Sequence, residues 1–213
     1  MNFDLAERFN LNKKLILISG TTDSNASLIA AGLGKEDGLT VLGTTIVVKK
    51  IIENPIKKQG ITTHRVNGHW ICGGASNAGC GILSQLFSDS EIKELSRQIN
   101  PSKNTSINLL PLNSKGERFP INNANLEPIL YPRPVSDSLY LHALFEGLAK
   151  IELKGWEKLG ELTGSLPKKI ITIGGGSKNP QWRKIREKII NIPIVSCKKT
   201  TSFGTALLAI NAK

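Results

Sequence analysis

The 213-residue chain is 39% apolar and only 5% aromatic, and its 28 Lys and Arg outnumber 17 Asp and Glu, for a formal net charge of +11. Length and apolar share suit one large globular domain, or one and a half small ones, packed on Ile, Leu, Val and Ala, and exclude collagen-like and disordered classes. The charge alone would raise nucleic acid as a partner. However, the lysines are scattered in pairs (Lys13-Lys14, Lys49-Lys50, Lys57-Lys58, Lys168-Lys169, Lys198-Lys199) without aromatic interleaving or any zinc-finger, RRM or homeodomain pattern, so no nucleic-acid partner is expected.

No stretch approaches about 18 consecutive apolar residues, so no membrane span is expected. Residues 1–14, MNFDLAERFNLNKK, are polar and irregular, lack the apolar core of a signal peptide, and read as a leading segment before a domain at 15–213. Cys72, Cys80 and Cys197 match no metal or CxxC spacing and read as buried thiols of a reducing, cytoplasmic compartment. His64, His69 and His142 share no ligand spacing, and no metal site is expected.

In chain order, Leu15–Ile18 predicts a buried strand, followed by Gly20-Thr21-Thr22-Asp23-Ser24 and a helix stopped by Gly32 and Gly34. Asp23 or Ser24 could simply cap that helix. Leu39–Leu42 and Ile46–Val48 predict two strands joined by Gly43-Thr44-Thr45, a turn whose glycine permits close approach and whose hydroxyls can donate to phosphate oxygens; an ordinary hairpin turn is the plain alternative. Residues 51–60 predict a loop. Ile61–Val66 and His69–Ile71 predict a hairpin about Asn67-Gly68. Residues 72–81, CGGASNAGCG, read as small and flexible, with Asn77 a helix cap or a ligand contact, before a helix through Leu83, Leu86 and Phe87.

Glu91–Gln98 predicts a helix. Residues 101–134, rich in Pro and Asn, predict a long loop that is functional or frames another region. Ser136–Leu162 has the strongest helical periodicity, and its interior Gly147 implies close packing or a nearby ligand. Then Lys168–Trp182, KKIITIGGGSKNPQW, reads as a buried strand, a glycine turn and a helix start. Without a Cβ, Gly174, Gly175 and Gly176 let a flat ligand lie on the backbone, and free N–H groups at the helix start favour anions or polar ring edges; a tight turn feeding a helix is the plain reading. Gln181–Ile190 predicts an amphipathic helix, Pro193–Val195 a strand and Phe203–Ala212 a closing helix. This alternation of strand and helix predicts an α/β domain, and no internal repeat is present.

GTTDS at Gly20–Ser24, LGTT at Leu42–Thr45, GGGSKNPQW at Gly174–Trp182 and GTALLAI at Gly204–Ile210, joined by GGASNAG at Gly73–Gly79 and LFEGLA at Leu144–Ala149, together resemble the C-terminal half of the FGGY carbohydrate kinases. The resemblance implies an α/β, actin-like ATPase (ribonuclease H-like) fold, a mixed sheet flanked by helices forming the C-terminal lobe of a sugar kinase. It implies ATP and Mg²⁺, with a sugar or polyol such as ribulose, xylulose or glycerol as acceptor. By the same resemblance Asp23 is the general base on the sugar hydroxyl. Gly20, Thr21, Thr22, Gly43, Thr44 and Thr45 contact the ATP phosphates, while Gly174, Gly175, Gly176, Ser177 and Asn179 cradle adenosine. The chemistry fits, because phosphoryl transfer asks mainly for positioning, charge stabilisation and one proton acceptor.

Residues 1–14 carry no Asp-x-Gly-Thr loop of the kind the family places in its first lobe, Thr44-Thr45 stands where Thr-Ser is commoner, and Lys198–Thr201 departs from the usual segment. The expectation is therefore a truncated or split kinase completed by a separately encoded lobe or a homodimer. A nucleotide-binding remnant or subunit without catalysis is the alternative.

Overall fold

A computed structural model describes residues 3–12 and 14–211. In chain order the elements are α1 (Phe3–Arg8), α2 (Asp23–Ala31), β1 (Asp37–Leu42), β2 (Ile46–Ile52), β3 (Thr62–Val66), β4 (His69–Ala75), α3 (Cys80–Leu86), α4 (Asp89–Gln98), α5 (Asp137–Thr163), β5 (Lys169–Ile173), α6 (Pro180–Ile190), β6 (Ile194–Ser196) and α7 (Thr201–Asn211). They fall into two units, Met1–Ala30 with Lys199–Lys213, and Ala31–Lys198.

In the smaller unit α7 lies against α2. A Cβ on Gly204 would strike the Ala26 carbonyl, and the Ser27 and Thr201 hydroxyls are 2.9 Å apart. This close approach is why α7 carries a glycine in its second turn; its sequence-expected end at Ala212 lies outside the described residues. The leading segment, read as irregular, forms the short helix α1. Leu15–Ile18 is not the buried strand its composition suggests, for Ile16 and Leu17 are 75% and 73% exposed. A strand exists only through a hydrogen-bonded neighbour, and among the described residues none pairs with it.

The larger unit is built on a six-stranded mixed sheet in the order β3-β4-β2-β1-β5-β6. β3, β4, β2 and β1 are antiparallel, joined by hairpins about Asn67-Gly68 and Gly43–Thr45, whereas β1, β5 and β6 are parallel. β4 runs on through Gly73 and Gly74, which the sequence reading left in a flexible stretch. Side chains there would strike the Val48 carbonyl and the Phe119 ring, so small residues mark a crowded strand.

α5 packs its Leu141, Leu144, Phe145 and Leu148 into the core, starting at the Ser136 cap, whose hydroxyl accepts from Leu139 N, and ending at left-handed Gly164. Gly147 is explained by packing: a Cβ would lie 2.8 Å from Pro111 Cδ and 2.9 Å from the Leu109 carbonyl. Residues 101–134 form no helix or strand, only isolated bridges such as Ala78↔Leu112, yet bury Leu109, Leu112 and Phe119.

One polar network crosses this core. Arg186 of α6 donates from Nε to Glu152 Oε2 (2.6 Å) and from Nη2 to Glu152 Oε1 (2.7 Å) and Thr172 Oγ1 (3.0 Å), and Thr40 Oγ1 donates to Glu152 Oε1 (2.6 Å). Thr40 and Thr172 are register partners on β1 and β5, so the pair ties both strands to α5 and α6. Buried Lys50 has a separate use: its ammonium donates to Thr163 Oγ1, Ser165 O and Ser165 Oγ at the end of α5, where the helix dipole is negative.

Candidate nucleotide-binding cleft

The Gly43–Thr45 turn leaves β1 beside the start of α3, and its carbonyls are gripped from that side. Cys80 N donates to Gly43 O (2.8 Å), Gly81 N to Thr44 O (3.1 Å) and Asn113 Nδ2 to the same Thr44 O (2.9 Å). Gly79 lets this approach occur, since a Cβ would lie 2.5 Å from the Thr44 carbonyl oxygen and 2.6 Å from Thr45 Cα. The Gly43 amide is spent on Thr45 O (3.2 Å). Among the described residues, the N–H groups and hydroxyls of Thr44 and Thr45 have no hydrogen-bond partner, leaving four donors at one bend.

The glycine turn after β5 is arranged differently. Gly174 takes φ +93°, and a Cβ there would meet the Leu42 carbonyl; Gly176 is wedged 2.5 Å from Trp182 Cζ3, 2.9 Å from Leu42 Cβ and 3.0 Å from Cys80 Sγ, again measured from an added Cβ. Only Gly175 faces open space. Thus two of the three glycines serve backbone shape and packing, a use the sequence reading did not separate from ligand approach. Gly175–Lys178 forms one 3-10 turn, in which Ser177 donates from N and Oγ to Gly174 O (3.2 and 2.7 Å).

Asn179 then caps α6, accepting from Gln181 N (3.1 Å) and Trp182 N (3.0 Å), with Pro180 at the first helical position. Its Nδ2 donates to Ser96 Oγ at 2.7 Å. These leading amides of α6 are therefore occupied rather than free for an anion. The open backbone is at Gly175, one turn earlier.

Gly43, Thr44, Gly175, Gly176 and Asn179 all line one cleft of about 760 Å³ within the larger unit. Its walls also include Leu83, Ile92, Lys93 and Cys80, whose thiol is pushed up in pKa chiefly by burial. At its base the Trp182 indole stacks on Phe145 at 5.0 Å and 7°. The sequence reading missed Phe145, Ile92 and Lys93: helical periodicity places them on α5 and α4 without saying that those faces meet the glycine turn. Asn77, expected as a cap or ligand contact, instead donates to Ser114 O (2.8 Å) and Gly116 O (2.9 Å), tying down the long irregular stretch.

Gly20, Thr21, Thr22 and Asp23 belong to the smaller unit. Thr22 O accepts from Asn25 N and Ala26 N, both at 2.9 Å, and Asp23 is the exposed first residue of α2. Among the described residues its carboxylate makes no hydrogen bond or ion pair, so it is not spent on capping.

Residues 38–212 match the FGGY family of carbohydrate kinases, C-terminal domain. The chain belongs to this family. Its fold is that of the family's C-terminal lobe, the actin-like ATPase fold with a mixed sheet and flanking helices. Similar solved structures include a xylulose kinase from Lactobacillus acidophilus (19% identity, TM-score 0.80, 99% of this chain and 46% of that one) and a gluconate kinase from the same organism (19%, 0.80, 100% and 47%). A Plasmodium falciparum glycerol kinase with ADP is also similar (20%, 0.71, 87% and 40%). The chain thus spans under half the length of these kinases. Sugar kinases of this FGGY family use ATP.

Proposed function

We propose that this FGGY chain takes part in ATP-dependent phosphorylation of a hydroxyl on a small sugar or polyol, of the ribulose, xylulose or glycerol kind. The observation that carries the reading is the cleft itself, which has the unspent donors of Thr44 at one bend, with those of Thr45 next to it in the chain, and the open backbone of Gly175 at another. Donors without partners suit phosphate oxygens, whereas an open glycine over an apolar floor suits a base and ribose.

In this reading Gly43, Thr44 and Thr45, with Gly20, Thr21 and Thr22, take the phosphates. Gly174, Gly175, Gly176, Ser177 and Asn179 form the adenosine side. Asp23 accepts the proton of the acceptor hydroxyl while that oxygen bonds to the γ-phosphorus and ADP departs. Mg²⁺, a hard cation suited to phosphate oxygens, would be carried on the triphosphate and offset its charge.

A second reading is nucleotide binding without catalysis, for the cleft is lined by the larger unit alone, whereas Asp23 belongs to the smaller one. A lobe partner, separately encoded or a second copy, belongs to the first reading, and the exposed Leu15–Ile18 run is the surface that supports it. The test is a coupled kinase assay on ribulose, xylulose and glycerol, with the chain alone and with the neighbouring gene product, beside calorimetry with ATP. Asp23→Asn should cut turnover by at least about 10²-fold with ATP affinity unchanged. ATP binding without turnover under every condition selects the second reading; no nucleotide binding sinks both.

A further inference from the structure

We infer that Asn113, in the irregular stretch 101–134, is a positioning residue for the phosphate turn, acting through the Thr44 carbonyl to aim the Thr45 amide. This rests on the phosphate reading of that turn. A trans peptide unit is planar, with its C=O and N–H pointing in opposite directions. Cys80 N pulls the Gly43 carbonyl toward α3, which turns the Thr44 N–H the other way. Gly81 N and Asn113 Nδ2 pull the Thr44 carbonyl in the same manner, which turns the Thr45 N–H away from them. The result is two successive N–H groups without partners facing away from the scaffold, the arrangement that makes an anion-binding nest.

Of the three grips, two come from backbone amides and only Asn113 acts through a side chain. Its own backbone is fixed at both ends, donating from N to Asn77 O (3.0 Å) and accepting at O from Gln85 Nε2 (3.4 Å). The amide orientation is forced, because a flip would set Asn113 Oδ1 against the Thr44 carbonyl. Yet Oδ1 itself is buried without a partner, close enough to α3 that a Cβ on Gly81 would lie 2.7 Å away. A side chain chosen for packing would avoid that desolvation cost. What the asparagine supplies that an apolar residue could not is the Nδ2 donor on Thr44.

Asn113→Ala and the similarly sized Asn113→Leu, which remove the donor without adding charge, test this in the full chain. Titration calorimetry with ATP and with adenosine should show ATP affinity falling about tenfold, the scale of one hydrogen bond's effect, and adenosine affinity unchanged. In the ligand-free chain, amide hydrogen exchange across residues 43–46 should quicken, while residues 174–179 keep their wild-type rates. Equal losses for ATP and adenosine, or unchanged exchange at 43–46, overturn the positioning role. If wild type binds ATP no more tightly than adenosine, the phosphate reading falls instead, and exchange alone shows whether Asn113 holds the turn. Should one variant fail to fold, the other carries the same comparison.

Discussion

The two glycine turns that line the cleft differ in where most of their hydrogen bonds come from. Gly174–Asn179 is held mainly from within: Ser177 N and Oγ close on Gly174 O, Asn179 N closes on Gly176 O, and Asn179 caps the helix that follows. Ser196 Oγ donating to Ser177 O and Ser96 Oγ accepting from Asn179 Nδ2 add outside support. Gly43–Thr45 is held from elsewhere, by amides at Cys80 and Gly81 and by the side chain of Asn113. The self-held turn spends its donors internally and offers open backbone. The turn held from outside by its carbonyls keeps the amides and hydroxyls of Thr44 and Thr45 unspent, with only the Gly43 amide closed on Thr45 O. The manner of support therefore decides what chemistry a turn can present.

The largest effect should come from the platform under the self-held turn. Arg186→Met leaves the Glu152 carboxylate buried without its guanidinium, and should cost about 3–5 kcal/mol in urea denaturation. A loss under about 1 kcal/mol would mean that β5 and α6 are held by apolar packing alone.

A smaller effect separates the two turns directly. At Gly79 an alanine Cβ meets backbone of Thr44 and Thr45, which cannot yield as a flexible side chain would. Gly79→Ala should cost about 1–3 kcal/mol and weaken ATP binding. Gly175→Ala enters open space and should stay within about 0.5 kcal/mol. Equal thermal shifts for the two variants would erase the contrast.

The smallest effect is a pH dependence in the remote scaffold. His142 and Glu146 lie on α5 at 3.5 Å, and Glu146 accepts from Thr105 N (3.2 Å) and Thr105 Oγ1 (2.6 Å) at the head of the irregular stretch. Burial holds the His142 imidazole below the usual histidine range, with Glu146 opposing and Lys188 of α6 adding to the shift. The unfolded chain then binds the proton more readily, so this contribution to stability is intact above about pH 6.5 and declines as pH falls below it. His142→Gln should flatten that slope in melts between pH 5 and 8, and parallel curves would remove His142 from the account.

Much of this was legible along the chain. Asn67-Gly68 marked its hairpin, Ser136 marked the start of α5, and the β-branched run before Gly174 marked β5, because each depends on neighbours within a few residues. Leu15–Ile18 misled for the opposite reason: an apolar run states a preference for burial and pairing, but not whether a neighbour is there. Asn77 and Gly147 were recognised as unusual without their partners, Ser114 and Gly116 in one case and Pro111 in the other, since those lie on a stretch with no periodicity to place it.

By itself the sequence determined most elements of the larger unit, their hairpins and, through several motifs taken together, the family, all of which follow from short-range hydrogen bonding and side-chain spacing. Only the tertiary structure decided that Gly43 and Thr44 share a cleft with Gly175 and Asn179, that Asn113 grips the Thr44 carbonyl, and that Glu152 meets Arg186 between two register-paired threonines. Those contacts arise when sheet register and burial bring distant residues together, and such meetings leave no mark in the local order of side chains.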